Sequence, residues 1–409
     1  MKNIAIIRES RTDDNRSPLA PRHIKEILVK FPNTNVFVQP SEHRCFSDKE
    51  YLDQGAIINE NLSNCELILG VKEIEPSLLI PKKNYMFFSH TAKIQPDNSA
   101  AVQGTPGMDK KELLKEIIRK KITLIDYENI RDNLSRRYLG FGRFAGIVGC
   151  YNSLNLYLEI LGQPPMPRAG SLNSYVKLKE NISKRNFKNA KIIVTGDGRV
   201  AKGSLEFLKY ANICKLTPEE YLSYKGTSAV FCNLPTSKYV SKKDNGSFDL
   251  QHFINFPENY KSVIEKYILC QTTMIISSHY WDPKSPRLFQ KNDSKKYNEL
   301  KVIGDITCDV NGSIPTTLRS TTIKAPYFYL DRKTLKEIKK DKNCLAIMAV
   351  DNLPSELPRD SSTEFGDGIV KEVLPYIINN DDGRIKKATI TLNGNLTSNY
   401  DYIKDYVNS

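Results

Sequence analysis

Short apolar runs separated by one-sided helical patterns organise the first third of the chain. KNIAIIRE (2–9), NVFVQP (35–40), CELILGVKE (65–73), NYMFFSH (84–90) and ITLIDYE (122–128) are rich in β-branched and aromatic residues and predict buried strands. Between the last two, MDKKELLKEIIRKK (108–121) sets Leu113, Leu114, Ile117 and Ile118 on one stripe among Lys and Glu, which predicts an amphipathic helix. Leu154, Leu158 and Leu161 recur along a long helix over 143–161 that Gly162 stops. The Pro/Gly break GQPPMPRAGS (162–171) reads as a domain joint. A second alternating block follows: NAKIIVTG (189–196), SAVFCNLP (228–235), TTMIISSH (272–279) and KVIGDITC (301–308). Residues 281–300 are polar and read as an excursion from the core, and SSTEFGDGIVKEVLPYII (361–378) reads as a helix. Strand–helix alternation in two blocks predicts an α/β chain: two Rossmann-like domains with mostly parallel sheets, flanking an interdomain cleft where such proteins take ligands.

Composition narrows this without changing it. The 409 residues, 40% hydrophobic and 26% charged, suit two ordinary soluble domains that need no disulfide or metal to hold together. The net formal charge of +13 is spread from Lys2 to Lys404 and is interrupted by acids, which disfavours a nucleic-acid groove and suits anionic small molecules. Eight cysteines with no C-x-x-C pair read as reduced thiols of a cytoplasmic protein. Lys2, Arg8, Glu9 and Arg11 leave no apolar signal core at the start, and nowhere do eighteen apolar residues run together, so no membrane partner is expected.

Two features carry chemistry. After the strand KIIVT comes Gly196-Asp197-Gly198-Arg199-Val200-Ala201-Lys202-Gly203 and then a helix, a G-x-G-x-x-A turn. Gly196 permits the tight turn, Gly198 lets the backbone approach a pyrophosphate, and the small Ala201 lets helix and strand pack closely. First-turn N–H groups then face the phosphates. The acid that commonly follows about twenty residues on falls at Glu219 or Glu220. Thr217-Pro218-Glu219-Glu220 reads better as a capping box. With Arg199 and Lys215 close by, a 2′-phosphate is accommodated, a slight lean to NADPH over NADH.

The second feature is a set of ionisable groups at strand ends. Among five histidines, His90 ends an apolar strand, and Lys72, with Glu73 beside it, ends the one before. Carboxyl ends of parallel strands are where α/β ligands bind, and a tuned lysine and a histidine can serve as acid and base. From pattern alone a histidine at a strand end is more often structural, and Lys72–Glu73 reads as well as a surface ion pair. Arg16, Arg136 and Arg137 can each grip a carboxylate bidentately, or be ordinary surface arginines.

Taken together, NRSPLAPRHIKEI, ELILGVKE, MFFSHTAKIQ, LIDYENI…RRYLGFGRFAGIVG, VTGDGRVAKGS, GDITCDVNGSI and DNLPSELPRDSSTEFGD resemble one family along nearly the whole chain. It is the lysine–2-oxoglutarate reductase half of aminoadipic semialdehyde synthase, with the lysine-forming saccharopine dehydrogenases close behind and alanine dehydrogenase and transhydrogenase more distant. The resemblance implies a catalytic substrate domain, alanine dehydrogenase N-terminal-like, from residues 1–140 plus 320–409, and a dinucleotide-binding domain over 141–319. It implies reversible NADPH- or NADH-dependent joining of lysine and 2-oxoglutarate into saccharopine. Lys72 and His90 then resemble the acid/base pair, Glu73 and Glu128 the acids that tune them, and Arg16, Lys93, Arg136 and Arg137 the substrate-carboxylate ligands. Gly196, Gly198, Arg199, Val200, Ala201 and Lys215 would hold the cofactor, with Asp305 and Asp309 beside the nicotinamide. The second catalytic half of the bifunctional relatives is absent, so cleavage of saccharopine is expected to fall to a separate enzyme. An oligomer is compatible with all of this. Arg143 and Pro315-Thr316-Thr317 depart from the family pattern. The alternatives are another amino-acid or opine-type dehydrogenase, or a catalytically silent dinucleotide-binding homologue.

Overall fold

The computed structural model describes residues 2–92 and 108–408. The chain divides into two compact units, Met1–Phe141 with Pro358–Ser409, and Gly142–Leu357.

In the first unit the expected strands form as β1 (Asn3–Ile6), β2 (Asn35–Val38), β3 (Ile57–Ile58), β4 (Leu67–Leu69), β5 (Asn84–Phe87) and β6 (Thr123–Asp126). They lie side by side in the order β3-β2-β1-β4-β5-β6, every pairing parallel. Their runs are apolar on both faces because both are covered. Ile4, Ile6, Leu67, Leu69 and Met86 pack on one side with Ile24 and Ile27 of helix Pro21–Lys30 and Phe365 of helix Pro358–Glu372. Ala5, Ile68, Tyr85 and Phe87 pack on the other with Leu113, Leu114 and Ile117 of helix Lys110–Arg119.

The second unit carries β7 (Lys191–Thr195), β8 (Cys214–Leu216), β9 (Val230–Leu234), the antiparallel pair β10 (Val240–Lys242) and β11 (Tyr260–Ser262), then β12 (Met274–Ser277), β13 (Val302–Asp305), β14 (Tyr327–Leu330), β15 (Glu337–Ile338) and β16 (Leu345–Met348). Its main sheet has the order β15-β14-β16-β13-β12-β7-β9-β8, and only β14 runs opposite to the rest, antiparallel to both β16 and β15. Helix Gly142–Ile160 is apolar all round and buried along most of its length. It crosses helix Arg199–Leu208 so closely that a Cβ on Gly146 would stand 1.9 Å from Val200 O, and one on Gly203 2.0 Å from Arg143 O.

The chain then returns to the first unit, where β17 (Thr389–Leu392) pairs antiparallel with β6 and β18 (Asn395–Leu396) with β17. The return comes at Pro358, not at residue 320. The difference has a plain cause: Phe328 pairs with Ile347, and β16 pairs with β13, so residues 320–357 complete the second sheet. Nor is 162–171 a joint. It packs within the second unit, where Asn155 clamps Met166 through both its backbone N–H and its carbonyl. The polar stretch 281–300 contributes Leu288, Phe289, Tyr297 and Leu300 to the core. The helix expected over 361–378 is two, Pro358–Glu372 and Leu374–Ile378, because Pro375 cannot supply the N–H that would continue the first. Among the described residues no helix is long and apolar enough to cross a membrane.

Candidate functional site

In the first sheet the chain runs from β1 outward to β2 and β3, then returns to place β4, β5 and β6 on the other flank. The carboxyl ends of β1 and β4 therefore border the topological switch point, the position where open α/β sheets expose a crevice. The loops that leave these ends carry Glu9, Asp14 and Arg16 after β1, Lys72 and Glu73 after β4, Ser89 and His90 after β5, and Glu128 after β6.

His90 and Glu73 are brought together. The His90 Nδ1–H donates to Glu73 Oε1 at 2.6 Å, and the Glu73 side chain is 0% exposed. Burial alone would raise the Glu73 carboxyl, but the hydrogen bond and charge of His90 outweigh it and hold the group at about 2. His90 adopts φ +53°, a left-handed conformation uncommon for a side chain of this size, which turns its ring back toward the β4 loop. The loop is pinned on its other side by Asp126, whose Oδ2 accepts from Ser89 N at 3.0 Å and Ser89 Oγ at 2.6 Å. Burial, then the charge of Glu128, raises the Asp126 carboxyl above its usual range.

Lys72 is half-buried beside Glu73. Burial first and the Arg16 cation second lower its ammonium pKa, partly offset by the charges of Glu73 and Asp14. A lysine so depressed gives up its proton more readily than a solvated one. Arg16 is buried and directs Nε and Nη2 onto Asp14 at 2.8 and 2.5 Å, while its guanidinium lies 4.2 Å from the Phe141 ring centre. Burial opposes the Asp14 charge, but Arg16 holds it well below the usual carboxylate range. Glu128 is buried and pairs with Arg137 at 3.1 Å. Arg136 points outward from the 131–137 hairpin, 72% exposed, and pairs with Asp132; among the described contacts it does not join the group. Lys93 lies outside the described residues.

In the second unit the strand order turns at β7 and β12, and the glycine turn leaves β7 there. Gly196 takes φ +91°, and a Cβ on it would stand 2.8 Å from His279 Cα, at the end of β12; only glycine fits. Gly198 caps helix Arg199–Leu208 with no side chain to satisfy the first-turn N–H groups, and a Cβ placed on it meets nothing within 4 Å. An uncapped helix start with open space before it fits a dinucleotide's pyrophosphate. Val200 and Ala201 form the first turn, and Ala201 is buried. Lys215 is exposed on β8. Glu220 caps the Pro218–Ser223 helix through Thr217, and Glu219 pairs with Lys238 at 2.9 Å, so both acids are engaged elsewhere. Asp305 is wholly buried at the end of β13 and accepts from the Thr307 and Thr317 hydroxyls at 2.5 and 2.6 Å. Burial raises its carboxyl against those bonds. Asp309 is half-buried. Thr317 thus anchors Asp305, and Arg143 pairs with Glu206 at 2.6 Å.

Sequence reasoning missed Glu9, Asp14 and Asp126, three carboxylates that hold the strand-end loops. Their signal was faint: Glu9 and Asp14 are acids in a polar loop, Asp126 is the last residue of the apolar strand β6, and only the fold shows what each faces.

Two units of this build, each with chemistry at its switch point, define the fold class of the dinucleotide-dependent dehydrogenases. Residues 5–148 match the family model "Alanine dehydrogenase/PNT, N-terminal domain", and that segment belongs to it. The chain is 30% identical to alpha-aminoadipic semialdehyde synthase of Bos taurus over 96% of its own length and 46% of the relative's. It therefore spans a little under half of that curated relative. It is 22% identical to the saccharopine dehydrogenase (NAD(+), L-lysine-forming) of Yarrowia lipolytica, covering 90% of each chain. Among solved structures, an L-alanine dehydrogenase shares the fold with a TM-score of 0.63 at 15% identity, covering 99% of both chains.

Proposed function

We propose that this chain catalyses the reversible, nicotinamide-dependent condensation of L-lysine with 2-oxoglutarate to saccharopine. The observation that carries the reading is the buried Glu73–His90 pair with the depressed Lys72 at its side, at the switch point of the first sheet. The names of relatives that align with nearly all of this chain support the substrates.

In this reading Arg16 orients a substrate carboxylate while Asp14 fixes the guanidinium. His90 donates and recovers the proton as the lysine ε-amine adds to the keto carbon and water leaves. Glu73 keeps the Nδ1–H of His90 directed inward, so that Nε2 is the atom that exchanges the proton. Lys72, neutral more easily than in water, accepts the proton that the attacking amine loses. A reduced nicotinamide, when bound at the Gly196–Ala201 turn, supplies hydride to the imine carbon. Asp305, which accepts from two threonines, and the half-buried Asp309 are both candidates to stand beside the nicotinamide. Arg199 and Lys215, with Glu219 and Glu220 engaged elsewhere, favour NADPH.

The test is oxidation of NADPH or NADH in the presence of 2-oxoglutarate and a panel of amino acids. Cofactor loss that requires lysine, with saccharopine found by mass spectrometry, is the expected result. Turnover with pyruvate and ammonia instead would assign the chain to alanine dehydrogenase chemistry, and dinucleotide binding without turnover would make it a silent homologue.

A further inference from the structure

At the carboxyl end of β4 the rungs that hold the strand run out. Ile7 N donates to Leu69 O at 3.0 Å and Gly70 N to Met86 O at 2.9 Å. The next two amides, Val71 N and Lys72 N, both turn to one side chain: they donate to Glu9 Oε1 at 2.7 Å and Glu9 Oε2 at 2.9 Å. Glu9 stands three residues beyond β1, across the switch point. The carbonyl of Val71 in turn accepts from Phe88 N at 3.0 Å, two residues before His90. A single carboxylate therefore grips the peptide that carries Lys72 on one side and anchors the His90 segment on the other. The Glu73–His90 bond closes the circuit.

We propose that Glu9 is a positioning residue of this site: its carboxylate fixes the direction in which Lys72 leaves the backbone and, through the Val71 carbonyl, the seat of His90. The proposal deepens the functional reading above and rests on it for the roles of Lys72 and His90. Two successive amides aimed at one point form a concavity that suits a pair of acceptor oxygens. Glutamine of the same shape would accept from one amide and face the other with its own N–H, leaving two donors opposed. A residue that only fills space would tolerate that exchange.

The full chain with Glu9→Gln is compared with the unaltered protein. With lysine, 2-oxoglutarate and NADPH above about pH 8, where Glu9 is ionised, kcat is expected to fall about 10- to 100-fold, the scale of a misplaced reacting group. KM for NADPH is expected to stay within about twofold, because the cofactor turn lies in the other unit. A second readout needs no turnover: trace acetylation of lysines followed by peptide mass spectrometry. Lys72 reactivity is expected to change about threefold or more relative to Lys30 and Lys49, which lie on the surface. If Glu9→Gln does not fold, Glu9→Ala replaces it, since it removes the acceptors without adding an opposed donor. A folded variant with Lys72 reactivity unchanged overturns the proposal, as does an unchanged kcat. If the unaltered protein fails to turn over lysine, the functional reading fails, and the labelling result decides Glu9 by itself.

Discussion

Three buried or half-buried carboxylates do at the residue scale what backbone pairing no longer does once the strands of the first sheet diverge: Glu9 holds the β4 loop, Asp126 the β5 loop, and Glu73 the His90 ring. Their charge states fix how stability and activity answer to pH. Glu73 is lowered from 4.5 to about 2, so its ionised form favours the folded chain. That contribution is complete above about pH 4.5, is lost as pH falls toward 2, and is worth on the order of 3 kcal/mol. Glu9 is raised from 4.5 to about 8, by burial first and then by Asp14. Its protonated form favours folding, so its contribution is whole below about pH 4.5 and is lost as pH climbs through 8. Denaturant melts across this range should show Glu73→Gln losing stability mainly near neutrality, with the acid limb flattened, and Glu9→Gln flattening the alkaline limb. Limbs that coincide with those of the unaltered protein would mean these groups do not titrate as their surroundings dictate. For catalysis, Lys72→Met and His90→Gln should each lower turnover about 100-fold or more, Lys72→Met with the melt near that of the unaltered protein and His90→Gln with loss of the stability that Glu73 draws from its ring. Near-normal rates in both would remove the acid/base assignment and leave the fold standing.

Between elements, the tightest constraint is the crossing of helices Gly142–Ile160 and Arg199–Leu208. Gly146→Ala or Gly203→Ala would drive a methyl into main-chain oxygens that cannot move without shifting a helix. Each is expected to destabilise the second unit by about 1–3 kcal/mol and to weaken NADPH binding with it, since in the proposed reading the same helix holds the phosphates at its N-terminus. Calorimetry and dinucleotide titration read the two effects. This scale also separates what was legible in the sequence from what was not. The strands β1, β4–β7, β9, β12 and β13 were legible because each is a continuous apolar run buried on both faces, and the glycine turn because Gly196 answers a geometric need no other residue meets and Gly198 leaves the space before the helix open. Glu73 and His90 were legible only as neighbours of strand ends; that they touch depends on the parallel register of β4 against β5, which pairs Leu69 with Met86. Strands β14–β16 were not read because Tyr327–Leu330 alternates in burial and lies past a polar stretch, so the segment was assigned to the wrong unit. Glu9 was invisible because its partners are backbone amides 62 and 63 residues away, which leave no trace in residue type.

For the molecule as a whole, the two units have separate hydrophobic cores, and the groups proposed for proton transfer and for cofactor binding are divided between them. Two cores of this size need not unfold in one step, since two-state behaviour is a property of single small domains. Scanning calorimetry is therefore expected to resolve two transitions, each answering to its own perturbation. A dinucleotide held as proposed at the folded glycine turn would not bind the unfolded chain, so NADPH at about a hundred times its dissociation constant should stabilise the second unit by about 2.7 kcal/mol and raise that transition alone. Gly198→Ala, which places a methyl in the open space before the helix, should abolish that rise without lowering the transition in the absence of cofactor. Glu73→Gln should lower the other transition and leave the NADPH-dependent rise intact. If NADPH raises both transitions equally in the unaltered chain, the units melt as one body and binding energy spent in the second is felt in the first. In that case NADPH should also change the apparent affinity for 2-oxoglutarate in the unaltered chain and not in Gly198→Ala, because coupling between two ligands is reciprocal.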